Sequence, residues 1–379
     1  MASNLSLQPT PDRVPESVQL LDGGAEAFPR MLRAIDGAEQ HVHLEIYIFE
    51  QDGWGERFID ALGRAARRGV AVTVVVDGWG TFGGARRLVD RLRTYGCSAR
   101  IYNPLSGFLR GALRRNHRKI LVVDDRVAFL GGINIGESYA SGGGRRGWED
   151  LALEIGGRPA LWLGRRMRGE GPLPRPGSVR IYLTSGWRMR KRYLALLRTA
   201  RSRVAFAHAY FLPDPGLFRA LRRAARRGVQ VTLLLAGVSD VPFAMAATRR
   251  LYRRLLGAGV QVYEWRASVL HAKAAVADGH RMLLGSFNLD PLSIVNMETL
   301  VEVDNAGAAS ELERWIGERV ERSHRVTEAD CAATLLQRFL IDVVGGWAAR
   351  FGEWVARLIA GQDARRRRLQ AAFAARRLP

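Results

Sequence analysis

The stretch HAKAAVADGHRMLLGSFN, His271 to Asn288, decides how the chain is read, because the sequence contains it twice. HRKILVVDDRVAFLGGIN, His117 to Asn134, holds histidine, lysine, aspartate, glycine and asparagine at the same internal positions. In extended chain, residues i and i+2 point the same way, so His117 shares a face with Lys119, and His271 with Lys273. Asp124-Asp125 and Asp278-Gly279 read as hairpin turns between short strands. The glycines that follow let backbone approach a ligand closely and bring Asn134 and Asn288 back to the start of each hairpin. Among 58 Lys+Arg, lysine occurs only at Lys119, Lys191 and Lys273. An ammonium is a compact point charge where a guanidinium is a flat fork, so lysine kept at two motif positions suggests contact with a single oxygen. Lys191, in RMRKRY, has no such setting and reads as part of a basic surface.

The duplication extends beyond this motif. ALGRAARRGVAVTVVVDG (Ala61 to Gly78) returns as ALRRAARRGVQVTLLLAG (Ala220 to Gly237). Each reads as an arginine-rich helix closed by glycine, then a β-branched strand. Strands are expected at His41–Phe49, Ala71–Val76, Lys119–Val123, Val127–Leu130 and Leu151–Ile155. Their counterparts are Arg203–Phe211, Gln230–Leu235, Ala272–Ala277, Arg281–Leu284 and Thr299–Val303. The pattern is α/β in two like halves, residues 1–165 and 166–330, joined through the Gly- and Pro-rich run RRMRGEGPLPRPGSVR (Arg165 to Arg180). Residues 331–379 form a tail of different character. Within it Leu336, Leu340, Val343, Trp347, Phe351, Trp354 and Leu358 make one apolar helical face, with Gly345-Gly346 as a hinge and arginines off the stripe. Two readings stand: an interfacial helix on anionic lipid, or a helix packed on the second half.

The 379 residues and 47% hydrophobic content suit a double domain with a real core. Cys97 and Cys331 cannot form a disulfide framework. The opening MASNLSLQPTPDRVPESVQ has no apolar stretch of a secretory signal, and no run is apolar for long enough to span a bilayer. The net charge of +21 calls for a polyanionic partner, either nucleic acid or an anionic membrane surface. The segment YNPLSGFLRGALRR (Tyr102 to Arg115) mixes Leu and Phe with Arg, and reads equally as a lipid-surface element or as ordinary amphipathic packing.

A histidine, a lysine and an amide from each half would together make a pocket for a phosphate. The pattern His-x-Lys-x4-Asp followed by Gly-Gly/Ser-x-Asn, in duplicate, resembles the phospholipase D superfamily over roughly Val42 to Asn305. His117, Lys119, Asp124, Gly131, Gly132 and Asn134 fill one copy; His271, Lys273, Asp278, Gly285, Ser286 and Asn288 fill the other. The resemblance implies two phospholipase D-like α/β halves with pseudo-twofold symmetry and one shared active site. Its catalytic set would be His117, Lys119, Asp124, His271, Lys273 and Asp278, and its phosphate-binding set Lys119, Asn134, Lys273, Ser286 and Asn288. Of these, Asp124 and Asp278 read more as turn and support residues than as proton carriers. Aligning EDLALEI with METLVEV sets Asp150 opposite Glu298, where the family places the carboxylates that orient its catalytic imidazoles.

The chemistry implied is a phosphohistidine, formed by one histidine while the other protonates the leaving alkoxide and later deprotonates the acceptor. Family precedent makes His117 the nucleophile, although the symmetry of the two motifs does not choose. Lys119, Lys273 and the asparagines would stabilise the phosphoryl charge, so neither metal nor cofactor is called for. His41 and His43 share a strand face without further ligands and read as structural. RRNHRKILVVDD, GGINIG, AYFLPDPGL and SFNLDPLSIVNME resemble bacterial cardiolipin synthases of the short type without N-terminal transmembrane helices. This implies a phosphatidyltransferase at the cytoplasmic side of the cell membrane, bound peripherally. Its substrates would be phospholipids, phosphatidylglycerol first and phosphatidylethanolamine second. Hydrolysis by a phospholipase D or nuclease relative, with water as acceptor, is the rival expectation. A non-catalytic lipid- or nucleic-acid-binding protein is a further one. Nucleic acid stays open as a partner, though the aromatic platforms of single-strand binding are not evident.

Overall fold

Alternating β-branched runs and amphipathic arginine-rich segments fold here into two sheets with helices on their faces. The computed structural model describes residues 15–104, 106, 114–140, 147–171, 177–184, 186–239 and 241–331. The tail stripe, most of the Tyr102–Arg115 segment and the centre of the expected joint lie outside the described residues.

In chain order the first half runs β1 (Ser17–Asp22), α1 (Gly23–Asp36), β2 (His41–Ile46), α2 (Gly53–Arg67), β3 (Ala71–Asp77), α3 (Ala85–Thr94), β4 (Ser98–Tyr102), β5 (Ile120–Val123), β6 (Val127–Gly131), β7 (Trp148–Glu149), β8 (Leu151–Gly156) and α4 (Arg158–Arg168). The second runs β9 (Val179–Thr184), α5 (Gly186–Thr199), β10 (Arg203–His208), α6 (Pro215–Arg226), β11 (Gln230–Ala236), α7 (Pro242–Arg249), α8 (Tyr252–Leu256), β12 (Gln261–Trp265), β13 (Val269–Leu270), β14 (Lys273–Ala277), β15 (Arg281–Gly285), β16 (Glu298–Asp304), α9 (Ala306–Glu321) and β17 (His324–Arg325).

The first sheet has the order β1-β8-β6-β5-β2-β3-β4. The second, read as β9-β16-β15-β14-β10-β11-β12, repeats it strand for strand and adds β17 at the far edge. In both, a parallel helix-linked pair (β2 with β3, β10 with β11) meets an antiparallel hairpin (β5–β6, β14–β15). The hairpin turns use left-handed backbone at Asp124, Asp125, Asp278 and Gly279, where Asp and Gly tolerate positive φ.

Three cores result. Val42, Leu44 and Ile46 pack beneath α1–α3, and Val204 and Phe206 beneath α5, α6 and α8. Between the sheets, Val122, Leu130 and Leu153 meet Val276, Leu284 and Val301, flanked by Leu163 of α4 and Leu312 and Ile316 of α9. This middle core is as apolar and as buried as the outer two, so the halves form one unit. Truncating any of these side chains to alanine would cost about 2–5 kcal/mol. Arg319 adds a buried polar link across the halves, with its guanidinium 2.8 Å from Glu149 Oε2 and 2.8 Å from Asp22 Oδ2. Such a link adds little net stability but penalises any misdocking that strands one charge.

Several expected boundaries move. The strands beginning at His41 and Arg203 stop at Ile46 and His208, and Phe49 and Phe211 make only isolated bridges, to Ile135 and Leu289. The division after residue 165 falls inside α4. Arg165, Arg166 and Arg168 occupy its last turn, where cations suit the helix dipole, and Gly169 closes it with left-handed backbone. The helix continues because Arg168 reaches Asp125 Oδ2 at 2.6 Å.

Candidate active site

Both motif segments enter the site as extended chain held by the opposite half. His117 N–H donates to Met297 O at 2.9 Å, and His271 N–H to Glu149 O at 2.7 Å. Around these anchors β13 pairs with β7, matching Val269 to Trp148 and Leu270 to Glu149, and Asn116 bridges to Met297. Each acceptor is followed by a buried acid, Glu298 and Asp150 respectively. His117 Nδ1 lies 2.9 Å from Glu298 Oε2, and His271 Nδ1 lies 2.5 Å from Asp150 Oδ2. The carboxylates are therefore crossed, and each half's histidine is held by the other half's acid. With Nδ1 engaged, Nε2 is left as the ring atom for chemistry.

The lysines fold back on their own segments. Lys119 Nζ donates to His117 O at 2.9 Å, and Lys273 Nζ donates to His271 O. Aromatic rings wall the imidazoles: Tyr47 stands edge-on to His117 at 4.7 Å, and Tyr139 and Trp148 lie 5.5 and 5.1 Å from His271. Lys119 Nζ is also 5.0 Å from the Tyr47 ring. The glycine-rich returns differ between halves. A Cβ at Gly132 would sit 2.2 Å from Asp150 Oδ1, so only glycine leaves that carboxylate its place. At the matching position Ser286 donates its hydroxyl to Glu298 Oε2 at 2.5 Å and accepts the Thr299 N–H at 2.9 Å.

Burial dominates the electrostatics. It drives His117 well below the ordinary histidine range, with Lys119 and Lys273 adding to the shift. Burial and Lys273 hold His271 down to about 4 against the pull of Asp150. Burial lowers Lys119 to about 7, although Glu298 opposes it. Glu298 is raised to about 8 by burial, restrained by Lys119 and Ser286. Burial thus favours the neutral form of both imidazoles, and the two lysines beside them give the site a basic lining suited to a phosphodiester monoanion.

The structure gathers His117, Lys119, His271, Lys273, Asp150 and Glu298 at one place, with Asn134, Ser286 and Asn288 buried on the adjoining turns. It does not bring Asp124 or Asp278 there, so the expected catalytic grouping of these two is corrected. Asp124 accepts the backbone N–H groups of Glu39, Gln40 and His41, each at 2.8 Å. Asp278 accepts those of Arg201, Ser202 and Arg203 at 2.9–3.0 Å. Both sit at the far ends of β5 and β14, about 16 Å along the strand from the lysines. They pin each hairpin to the neighbouring strand.

Ser286 is corrected from phosphate ligand to carboxylate holder, since its hydroxyl is committed to Glu298. Asn134 accepts the Ile48 N–H with Oδ1 and donates from Nδ2 to Tyr139 Oη, which leaves one amide hydrogen for a ligand. His41 and His43 lie 3.8 and 3.6 Å from Asp125 and Glu45 respectively, and no group of three or more metal-capable side chains gathers among the described residues. The sequence reading missed Tyr47, Tyr139 and Trp148, which carry no motif. It also missed Asp77, whose carboxylate accepts the Asn116 N–H at 2.8 Å and so sets the approach to His117.

Two like halves, two His-x-Lys segments and two crossed carboxylates define a phospholipase D-like fold with a single bipartite site. A family model described as "Cardiolipin synthase, PLD-like domain" matches residues 31–151 and 193–320. Cardiolipin synthase B of Salmonella typhimurium is 36% identical over 310 residues, spanning 74% of this chain and 75% of that protein. The minor cardiolipin synthase ClsB of Bacillus subtilis is 28% identical over 342 residues, spanning 85% and 86% respectively. The chain belongs to the cardiolipin synthase family of phospholipase D-like proteins. A solved phosphatidylserine synthase from Haemophilus influenzae shares the fold, with a TM-score of 0.72 at 14% identity over 90% of this chain and 95% of that one.

Proposed function

We propose that the protein is a phosphatidyltransferase that makes cardiolipin, moving a phosphatidyl group from one phospholipid to a hydroxyl of another through a phosphohistidine. The observation that carries this reading is the pair of imidazoles, His271 buried and His117 partly so, each tied at Nδ1 to a carboxylate of the opposite half beside a buried lysine. In the first step Nε2 of one histidine attacks phosphorus, and the bond from phosphorus to the leaving glycerol oxygen breaks. The other histidine gives that oxygen its proton. In the second step the acceptor lipid's hydroxyl returns a proton to the same histidine as its oxygen displaces the enzyme nitrogen. With phosphatidylglycerol as donor and acceptor, the products are cardiolipin and glycerol. By family resemblance His117 is the nucleophile and His271 the acid and base.

Substrate binding sets the protonation state. Burial depresses the imidazoles most and Lys119 and Lys273 add to it; a phosphodiester monoanion between the lysines offsets their part, so the basicity of the rings rises when substrate is in place. The lysines and the remaining Asn134 amide hydrogen then face charge that grows at the phosphoryl oxygens. Phosphatidylglycerol, with phosphatidylethanolamine as second donor, is the substrate class this reading assigns. The location it assigns is peripheral, at the anionic cytoplasmic face of the membrane. No described helix is long and apolar enough to cross a bilayer.

The test offers purified protein phosphatidylglycerol, phosphatidylethanolamine and single-stranded DNA in parallel, with products identified by mass spectrometry. Cardiolipin supports the reading. Phosphatidic acid alone replaces it with hydrolysis, and released nucleotides replace it with a nuclease.

A further inference from the structure

Among the described residues, the exposed large apolar side chains stand at one end of the molecule. They are Trp79, Phe82, Trp187, Val238, Val241 and Leu292. Strand registers fix their position. Trp79 and Phe82 follow the end of β3, where Ile46 pairs Val76 and Glu45 pairs Ile120, one residue from Lys119. Val238 and Val241 follow β11 on the matching loop of the second half, beside the end of β10 where His208 pairs Lys273. Trp187 follows β9, whose last residue pairs Glu298, and Leu292 lies on the loop that leads into Glu298. These are the same strand ends that carry the histidines.

The rim is continuous across the halves. Phe82 is 72% exposed and lies 6.5 Å from the Trp79 ring, which in turn covers the Arg115 guanidinium at 5.1 Å. Arg115 N–H donates to Asn296 Oδ1 on the Leu292 loop, and Gly186 N–H, beside Trp187, donates to Ile294 O on the same loop. Indole and phenyl rings beside guanidinium groups suit the headgroup level of a bilayer, where one end of a side chain is apolar and its neighbours are wet. Charge completes the match. The first turns of α3 and α5 hold no acid, although acids would suit the helix dipole there. They present exposed Arg86, Arg87 and Arg188 instead. Positive helix ends that carry further positive charge are stabilised by an anionic surface.

We propose that this rim is the membrane-docking face: Phe82, Trp79, Trp187 and Leu292 enter the interfacial layer of an anionic bilayer and set the shared site directly over the headgroups. The proposal rests on the lipid-substrate reading and assigns it a surface. It explains how a buried phosphate pocket reaches a headgroup without pulling a whole lipid into water.

The experiment uses the full chain and vesicles of phosphatidylglycerol mixed with acyl-brominated phosphatidylcholine. Tryptophan fluorescence of the native protein should be quenched, and the Trp79→Phe, Trp187→Phe double variant should lose most of that quenching. Phe82→Ser with Leu292→Ser should lower the vesicle-bound fraction at flotation at least tenfold. Turnover of a short-chain, monomeric phosphatidylglycerol should stay within twofold. Quenching that persists in the double phenylalanine variant overturns the proposal, as does unchanged flotation of the serine pair. Native protein that ignores the vesicles also overturns it and points to a protein partner. Turnover of the short-chain substrate falling in step with flotation would show that the serines damaged the site, which likewise overturns it. Quenching that behaves as expected while the native chain makes no cardiolipin would refute the transferase reading alone.

Discussion

Replacing Glu298 by glutamine isolates the crossed carboxylate. Glutamine keeps the shape of the side chain and an oxygen to accept from His117 Nδ1 at 2.9 Å and from Ser286 Oγ. Burial raises Glu298 to about 8 in the resting site, but on the proposed mechanism the ring turns cationic when His117 Nε2 bonds to phosphorus, which draws Glu298 to its carboxylate form, and glutamine cannot supply that charge. Two unit charges about 4 Å apart interact by about 4 kcal/mol at an effective dielectric near 20, which is a factor of about a thousand in rate. That loss belongs to kcat for phosphoenzyme formation, because the charge on the ring develops only in the transition state. KM should change by less than about threefold, since Lys119 and Lys273 still meet the phosphate. A rapid-quench assay with radiolabelled phosphatidylglycerol reads the phosphoenzyme step, and a thermal melt checks folding. A drop of less than tenfold would refute the idea that Glu298 acts through its charge. A loss carried by KM would refute the assignment of Glu298 to the histidine rather than to substrate.

Lys119→Arg and Lys273→Arg should each cut turnover roughly a hundredfold with melting unchanged, because a planar fork misplaces charge at a site built for a point contact; near-native rates in either variant would count against it. Asp124→Asn and Asp278→Asn tolerate the left-handed backbone but weaken three N–H contacts each. Denaturant midpoints should show losses of about 1–3 kcal/mol with kcat of the folded enzyme within about threefold, and a collapse of kcat at intact stability would return these residues to the chemistry. His208 is fully buried, and burial with Lys273 lowers it to about 3. The unfolded chain therefore binds this proton below about 6.5 while the native one does not, so stability is lost as pH falls, by about 3 kcal/mol between pH 6.5 and 4. His208→Ile, which copies Ile46 of the first half, should remove that part of the acid sensitivity; equal losses in melts at pH 7.5 and pH 5 for both proteins would disprove it. Acid quench during turnover, then peptide mapping, should find the phosphatidyl adduct on His117, and an adduct on His271 would reverse the two roles.

Much of this was legible from the repeat. The duplicated motif carried the two-half α/β plan and the lysines that meet at the centre, because those residues keep both identity and spacing. The edge strands β1 and β9 were not legible. Ser17–Asp22 has weak alternation, and Val179–Thr184 follows a Gly- and Pro-rich run that reads as a linker. Nor could the sequence show that the carboxylates cross over. An alignment that matches Asp150 to Glu298 is identical whether each acid serves its own half or the other; the pairing of β7 with β13 and the bridge of Asn116 to Met297 decide it. Ser286 looked like a phosphate ligand because serine hydroxyls often are. Its true partner depends on Glu298 being one methylene longer than Asp150, a difference that gains meaning only once Gly132 is seen pressed against the shorter acid.

The crossing has a consequence for the life of the molecule before it is finished. Cells are full of phosphodiesters, and a nascent first half with a working histidine would be a hazard to them. Here that half emerges from synthesis with His117 but without Glu298, and with Asp150 but without His271. On the proposed mechanism each half alone would lack the acid that orients its own histidine, and the site would be complete only once the inter-sheet core has closed. On the same reading a change at either acid would impair a histidine more than a hundred residues away, so the two motifs would work as one instrument.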